Sequence, residues 1–219
     1  MRGVWRLPLT FILMKFIMRP KGGIWMPGIC AESCCQPDEL SQPFWHATEP
    51  QRAAIEQLGF APCFHAKLKR NLNPMYLDEG GITYLHTDRS HVCTLVYVRL
   101  HLRAPLNQIR EKVVVGFSAA FQDGVVSFTN SKSRFDSLPG REAVIVKSAD
   151  PKAIYERFVS YLKSQPQTAR VFVDCAAVRD WLDACRLEAF EARVARGLFV
   201  RMTDAEVEQA RRKMAQPLS

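Results

Sequence analysis

The segment from His91 to Leu102 has the clearest strand pattern of the chain, with apolar residues through most of its first part and alternating apolar and polar residues from Val98 to Leu102. Successive side chains of a β-strand point to opposite faces, so a pattern with a period of two predicts a strand here. One face carries Val92, Thr94, Val96, Val98, Leu100 and Leu102, and the other carries Cys93, Leu95, Tyr97, Arg99, His101 and Arg103. This is the clearest strand of the chain.

A β-hairpin is predicted next along the chain. Lys112–Phe121 and Val125–Asn130 are alternating apolar segments that flank Asp123-Gly124, a pair favoured in two-residue type I′ turns. Such a turn sets Ala119 opposite Phe128, so that the large apolar residues of both strands share one face.

Shorter segments predict the remaining strands. They are Phe60–Leu68, Pro74–Leu77, Ile82–His86 and Glu142–Ser148. Asp78-Glu79-Gly80-Gly81 separates two of them and predicts a hairpin loop. Pro62 has no N–H group to donate, which suits an edge strand or the start of a strand.

Helices are predicted at both ends of this strand-rich region. Thr48-Glu49-Pro50-Gln51 is a capping-box pattern that predicts a helix start, and Gly59 predicts its end. Asp150 and Asp174 are N-cap candidates for two further helices, and Thr203-Asp204-Ala205-Glu206 predicts a charged terminal one.

The predicted strands follow one another without intervening helices, so parallel crossover connections are not expected. The sequence therefore predicts an α+β fold, an antiparallel β-meander of about six or seven strands with helices packed on one face. We expect an irregular, basic and apolar N-terminal extension and linker over 1–43, the α+β domain over 44–200, and a charged C-terminal helix and tail over 201–219.

The formal net charge of +8 invites a nucleic-acid interpretation. Part of that charge is concentrated in residues 1–21, which contain no acidic residue and carry Arg2, Arg6, Lys15, Arg19 and Lys21. Over most of the remaining chain both signs are interspersed. No basic stripe and no specific nucleic-acid motif stands out.

Residues 1–21 have three interpretations. They form an irregular extension or follow a misplaced translation start, they dock into a partner protein, or they contact a membrane surface peripherally. In the last case the contacting side chains are Trp5, Phe11, Ile12, Lys15 and Phe16. The apolar run is shorter than the about 20 residues that a transmembrane helix needs.

The seven cysteines are an odd set. Cys93 falls in a strand pattern, and Cys175 and Cys185 fall in a helical one. These contexts favour reduced, buried thiols over a disulfide framework. The sequence therefore predicts a reducing compartment and a cytoplasmic protein, with membrane association through residues 1–21 as a variant.

One group of cysteines has the residue types of a metal site. Cys30, Cys34 and Cys35 could join Cys63 and His65 around zinc or an iron–sulfur cluster. Tight structural zinc sites present two closely spaced cysteine pairs, and here the second half is only Cys63-x-His65. Free thiols are therefore favoured, and no metal or cofactor is predicted.

No catalytic motif stands out. The chain has no G-x-S-x-G, Walker loop, dinucleotide fingerprint or H-E-x-x-H sequence. His91 and Cys93 share a predicted strand face, which keeps a thiol-dependent enzyme as an alternative. No catalytic residue is assigned, and a non-enzymatic protein is favoured.

One sheet face is predicted to bind a ligand or a partner. It is assembled from Leu95, Tyr97, Val114, Gly116 and Ser118, which are neither polar enough for water nor large enough to fill a core. Something must cover it, either the protein itself, a small apolar ligand or another protein. Arg99, His101 and Arg103 lie on the same strand beside Tyr97 and could contact RNA or an anionic ligand, although solvated cations at a strand end explain them as well.

The leading hypothesis is a non-enzymatic binding or accessory protein that acts through that sheet face or through its N-terminal segment. A small-molecule or lipid-binding domain, with a cavity between the sheet and the long helix, is the first alternative. The thiol-dependent enzyme is the second.

Overall fold

The computed structural model describes residues 34–67, 76–102, 108–131 and 140–197, together with residues 203 and 205. The sheet and the helix segments that cover it lie in one compact unit, Gly28–Ala184, and the chain from Cys185 onward belongs to a second unit. The candidate site lies wholly in the first unit. No helix among the described residues is long and apolar enough to cross a membrane.

The described residues form one seven-stranded sheet whose strands follow the order of the chain. Its strands are β1 (Cys34–Cys35), β2 (Phe60–Lys67), β3 (Tyr76–His86), β4 (Val92–Leu102), β5 (Gln108–Phe121), β6 (Gly124–Thr129) and β7 (Arg141–Ile145). Neighbouring strands are antiparallel except for the last pair, since β7 runs parallel to β6. The α+β class and the mostly antiparallel sheet in chain order are confirmed, whereas the expectation that no parallel connection occurs is wrong at the β6–β7 pair.

Three α-helices accompany the sheet in the described residues. They are α1 (Gln42–Gln57), α2 (Pro151–Lys163) and α3 (Cys175–Ala195), and a short 3-10 turn at Pro37–Glu39 precedes them. Asp150 caps α2, as the sequence predicts, by accepting the Lys152 N–H at 3.0 Å.

The predicted start of the first helix at Thr48 is wrong. α1 begins earlier, where Ser41 accepts the Phe44 N–H at 3.2 Å. Thr48 is fully buried, and its hydroxyl donates to the Phe44 carbonyl one turn back at 2.7 Å, so it cannot cap a helix end. The predicted end is confirmed, because Gly59 has the positive φ of 88° that stops a helix.

The predicted loop at Asp78-Glu79-Gly80-Gly81 is also wrong, because β3 continues through it. A side chain at Gly80 would place its Cβ 2.9 Å from Leu40 Cδ2 and 3.1 Å from Phe44 Cδ2. This glycine therefore lets α1 approach the strand closely and does not make a turn.

The β5–β6 hairpin is confirmed, but its register differs by two residues from the predicted one. Phe121 pairs with Gly124 and Ala119 with Val126, so the turn is Gln122-Asp123. Gly124 sits instead where a Cβ would be 2.0 Å from the Gly140 carbonyl oxygen. A shift of two keeps every side chain on its predicted face.

The main core lies between one sheet face, called the inner face, and helices α1 and α2. The sheet contributes the fully buried Leu95, Phe117 and Tyr84 among others, and α2 contributes Ile154 and Phe158. The first turns of α3 lie on the opposite, outer face, where Val178 packs near Val92 and Ala120. Helices therefore contact both faces, whereas the sequence predicted them on one.

A disulfide joins Cys63 in β2 to Cys175 at the start of α3, across 112 residues. The expectation that these two thiols are reduced is wrong. Side chains distant in sequence meet here because α3 begins on the outer face, beside β2. The cysteine argument for a reducing compartment loses its basis at this pair, and the cytoplasmic location stays a prediction.

Candidate metal centre

The candidate site is built on the tight connection between β3 and β4. His86 ends β3, and its N–H donates to the carbonyl of His91, which immediately precedes β4, at 2.9 Å. The intervening residues turn at Arg89, whose φ of 61° is in the left-handed region. This hydrogen bond sets the two histidines side by side, with ring centroids 5.3 Å apart.

Asp88, in the turn between the two histidines, is the third member of this group. One carboxylate oxygen lies 3.0 Å from His86 Nδ1, and the other lies 3.7 Å from His91 Nδ1. The Ser90 N–H and hydroxyl both donate to Asp88, at 2.8 and 2.9 Å, and hold the carboxylate in place. One ligand atom from each of His86, Asp88 and His91 lies within 4.8 Å of the others.

An aromatic wall borders the inner side of this group. The Phe60 ring stands edge-on to His86 at 4.9 Å, and the Phe158 ring stands edge-on to His91 at 5.3 Å. Tyr155 reaches in from α2, and its hydroxyl forms a 3.1 Å hydrogen bond with His91 Nδ1. The site therefore has rigid apolar backing and an open side at Asp88, whose side chain is 46% exposed.

The protonation states suit metal binding. Burial lowers the pKa of His91 and outweighs the opposing effect of Asp88. Burial alone would raise the pKa of Asp88, but hydrogen bonds from Ser90 and His86 outweigh it and hold that pKa below its usual value. A neutral imidazole and an ionised carboxylate are the forms that coordinate a cation, because the donor atom then keeps its lone pair.

The predicted ligand-binding face does not exist as one surface. Leu95 lies opposite Val115 in the β4–β5 ladder, so Leu95 and Tyr97 point to the inner face, where both are fully buried. Val114, Gly116 and Ser118 belong to the outer face, because they alternate with those inner-face positions. The predicted set combined odd and even positions of two antiparallel strands.

The two polar members of that set lie further along the same strand pair. Arg99 is opposite Glu111, and its Nε lies 3.3 Å from the Glu111 carboxylate. His101 is opposite Ile109. The binding role of the outer-face residues stays a prediction, and the membrane-contact residues Trp5, Phe11, Ile12, Lys15 and Phe16 lie outside the described residues.

The thiol candidates do not form a reactive centre in the described part of the chain. Cys93 is fully buried, and burial raises its pKa well above the usual value, which disfavours the thiolate. Cys63 is held in the disulfide, whereas Cys35 lies opposite His65 in the β1–β2 ladder. Cys30 lies outside the described residues.

Sequence reasoning passed over the histidine pair, although a signal was available. The predicted strands end at His86 and begin at His91, so the sequence already places both side chains at one hairpin end. The spacing His86-x-Asp88-x-x-His91 offers two imidazoles and a carboxylate within one turn. What the sequence could not supply was the helix that brings Tyr155 to the same place.

An open recess of about 370 Å³ lies between β6, β7 and the end of α2. The Tyr161 hydroxyl donates to Glu142 there, and the Gln167 amide donates to Asp123 at 2.7 Å. These polar groups are paired with one another.

No family model, no curated protein and no solved structure matches this chain.

Proposed function

We propose that the protein binds a transition-metal ion through the imidazoles of His86 and His91 and the carboxylate of Asp88. The observation that carries this proposal is the convergence of the three ligand atoms within 4.8 Å on one hairpin. Two nitrogens and one carboxylate oxygen form a donor set used for Zn²⁺, Fe²⁺ and related ions. The chain is then a binding protein, in line with the leading sequence hypothesis, with the metal replacing the predicted sheet-face ligand.

Hydrogen bonds that hold the three ligand residues in position support this proposal. The backbone hydrogen bond between His86 and His91 fixes their separation, and Ser90 fixes the carboxylate. Ligands that are already oriented lose little conformational freedom on binding, which favours affinity. The exposed side of Asp88 offers the ion a path from solvent.

Titration of chelator-stripped protein with Zn²⁺ tests the proposal. We expect one equivalent to bind, with Asp88→Asn and His86→Gln each weakening affinity by at least about tenfold. His46→Gln and Asp123→Asn are the matched controls, because these residues are exposed and lie elsewhere. Both controls should bind Zn²⁺ as the unaltered protein does.

A second control separates this site from the cysteines. A Cys34→Ser, Cys35→Ser double variant should keep its zinc. If that variant loses the metal while Asp88→Asn keeps it, the thiols hold the ion and the proposal is wrong. Absence of stoichiometric binding in the unaltered protein also overturns it.

A further inference from the structure

Tyr155 occupies a position around this site that the zinc proposal leaves without a role. Its ring is held between two core aromatics, with centroid distances of 5.3 Å to Phe60 and 5.0 Å to Phe117. The ring therefore cannot swing away without disturbing the core. Its hydroxyl is directed at the metal-ligand group, 3.1 Å from His91 Nδ1.

That distance is the spacing of two ligands on one ion. With metal–ligand bonds of about 2.1 Å, neighbouring ligand atoms lie about 3.0 Å apart in an octahedral site and about 3.4 Å apart in a tetrahedral one. The pair His86 Nδ1 and Asp88 Oδ1 is 3.0 Å apart, and the pair His91 Nδ1 and Asp88 Oδ2 is 3.7 Å apart. The 3.1 Å between Tyr155 Oη and His91 Nδ1 falls between these two spacings, so these two atoms can bind one ion, and the longer His91–Asp88 pair closes slightly on binding.

We propose, on the basis of the proposed metal function, that Tyr155 is a fourth ligand and that the site thereby selects ferric iron over zinc. A phenolate and a carboxylate are hard, anionic oxygen donors, and their attraction to a cation grows with its charge. The phenolate and the carboxylate therefore stabilise bound Fe³⁺ more than they stabilise a bound divalent ion. Zn²⁺ is satisfied by the two imidazoles, the carboxylate and a water molecule, and needs no bond from Tyr155.

The binding step is a ligand exchange. The bond between Fe³⁺ and one of its water or nitrilotriacetate ligands breaks and that ligand passes to solvent, the O–H bond of Tyr155 breaks, the tyrosine oxygen bonds to Fe³⁺, and the proton passes to water. The oxidation state of the iron does not change. The hydrogen bond between Tyr155 and His91 is lost, and the His91 nitrogen is then free to coordinate the same ion.

Visible absorption spectroscopy provides a direct readout. A phenolate bound to Fe³⁺ gives a charge-transfer band in the visible range, whereas Zn²⁺ has a filled d shell and gives none. Protein loaded from ferric nitrilotriacetate should be coloured. Tyr155→Phe should lose the band and bind Fe³⁺ at least about tenfold more weakly, while its Zn²⁺ affinity changes by less than about threefold.

Tyr161→Phe is the matched control, because Tyr161 lies on the same helix and its hydroxyl bonds to Glu142 instead. This variant should keep the band, and thermal melts should show that both variants are folded. Zinc binding without a ferric band, or a band that persists in Tyr155→Phe, overturns this proposal and leaves the proposed function standing. If neither Zn²⁺ nor Fe³⁺ binds, both proposals are wrong.

Discussion

The backbone N–H of Phe172 donates to the carbonyl of Arg89 at 2.8 Å, and thereby ties the turn of the candidate metal site to the segment before α3. The Arg89 guanidinium donates to the Val173 carbonyl at 3.1 Å and strengthens the same link. Two residues further on, Cys175 is joined to β2 by the disulfide. The turn between the two histidines is therefore braced from outside by a covalently anchored segment.

At position 89, the stability of the protein should depend more on the backbone conformation than on the arginine side chain. Its φ of 61° costs a residue with a Cβ about 1 kcal/mol or more relative to glycine. We therefore expect Arg89→Gly to be more stable than Arg89→Ala by about 1 kcal/mol in urea unfolding, since both lose the bond to Val173. Equal stability of the two variants would show that the turn is not left-handed.

The disulfide should contribute substantially to stability. Closing a loop of this length in the unfolded chain is expected to contribute about 4–5 kcal/mol on the chain-entropy model. Reduction by a dithiol, or a Cys63→Ser, Cys175→Ser double variant, should lower the free energy of unfolding by up to this amount. Cys34→Ser is the control and should change it little.

Thiol titration of the denatured, unreduced protein checks the same bond. At most five reactive thiols are expected, since two of the seven cysteines are bonded to each other. Seven reactive thiols would mean that the two cysteines are not joined.

The sequence predicted most strands because period-two patterning follows directly from strand geometry. The predicted assignment of side chains to the two faces of β5 and β6 is correct although the predicted register is wrong, because a register shift of two residues leaves every side chain on the same face. The errors share a cause. The local pattern predicts turns at Gly80 and Gly124, whereas in the structure each glycine lets another part of the chain approach closely. A local sequence pattern does not show which segment approaches.

The site was less accessible to sequence reasoning than the fold. His86 and His91 lie at the adjoining ends of two neighbouring predicted strands, so the sequence alone could have placed them together. Tyr155 comes from α2, which follows the last strand of the sheet. The Cys63–Cys175 bond was not predicted for the same reason, because its two residues lie 112 positions apart in the sequence. Contacts of this range depend on which face each helix covers, and patterning does not specify that.

Phe117 tests the assignment of the inner face. It is fully buried and contacts Phe60 and Phe158, with ring centroids 5.4 and 6.3 Å away. Phe117→Ala should cost about 3–5 kcal/mol, because it leaves a cavity that the surrounding rings cannot fill. Ser118→Ala, on the outer face of the same strand, is the control and should cost less than about 1 kcal/mol in the same urea melts.

Stability should fall on mild acidification because of His91. Its pKa in the folded protein lies below the usual 6.5, since burial disfavours the charged imidazole. The unfolded chain then binds more protons than the folded one between that lowered pKa and the unfolded value, so the free energy of unfolding rises with pH in this window. Asp88, whose pKa is also lowered, extends the loss to more acidic pH.

Urea unfolding of chelator-treated protein at a series of pH values below neutrality measures this slope. His91→Gln should be less stable near neutral pH, yet its stability should depend less steeply on pH just below 6.5, because the titrating imidazole is gone. A slope that is unchanged in His91→Gln would show that His91 binds protons equally well in the folded and unfolded chain, and a site with a neutral, buried imidazole would then be ruled out.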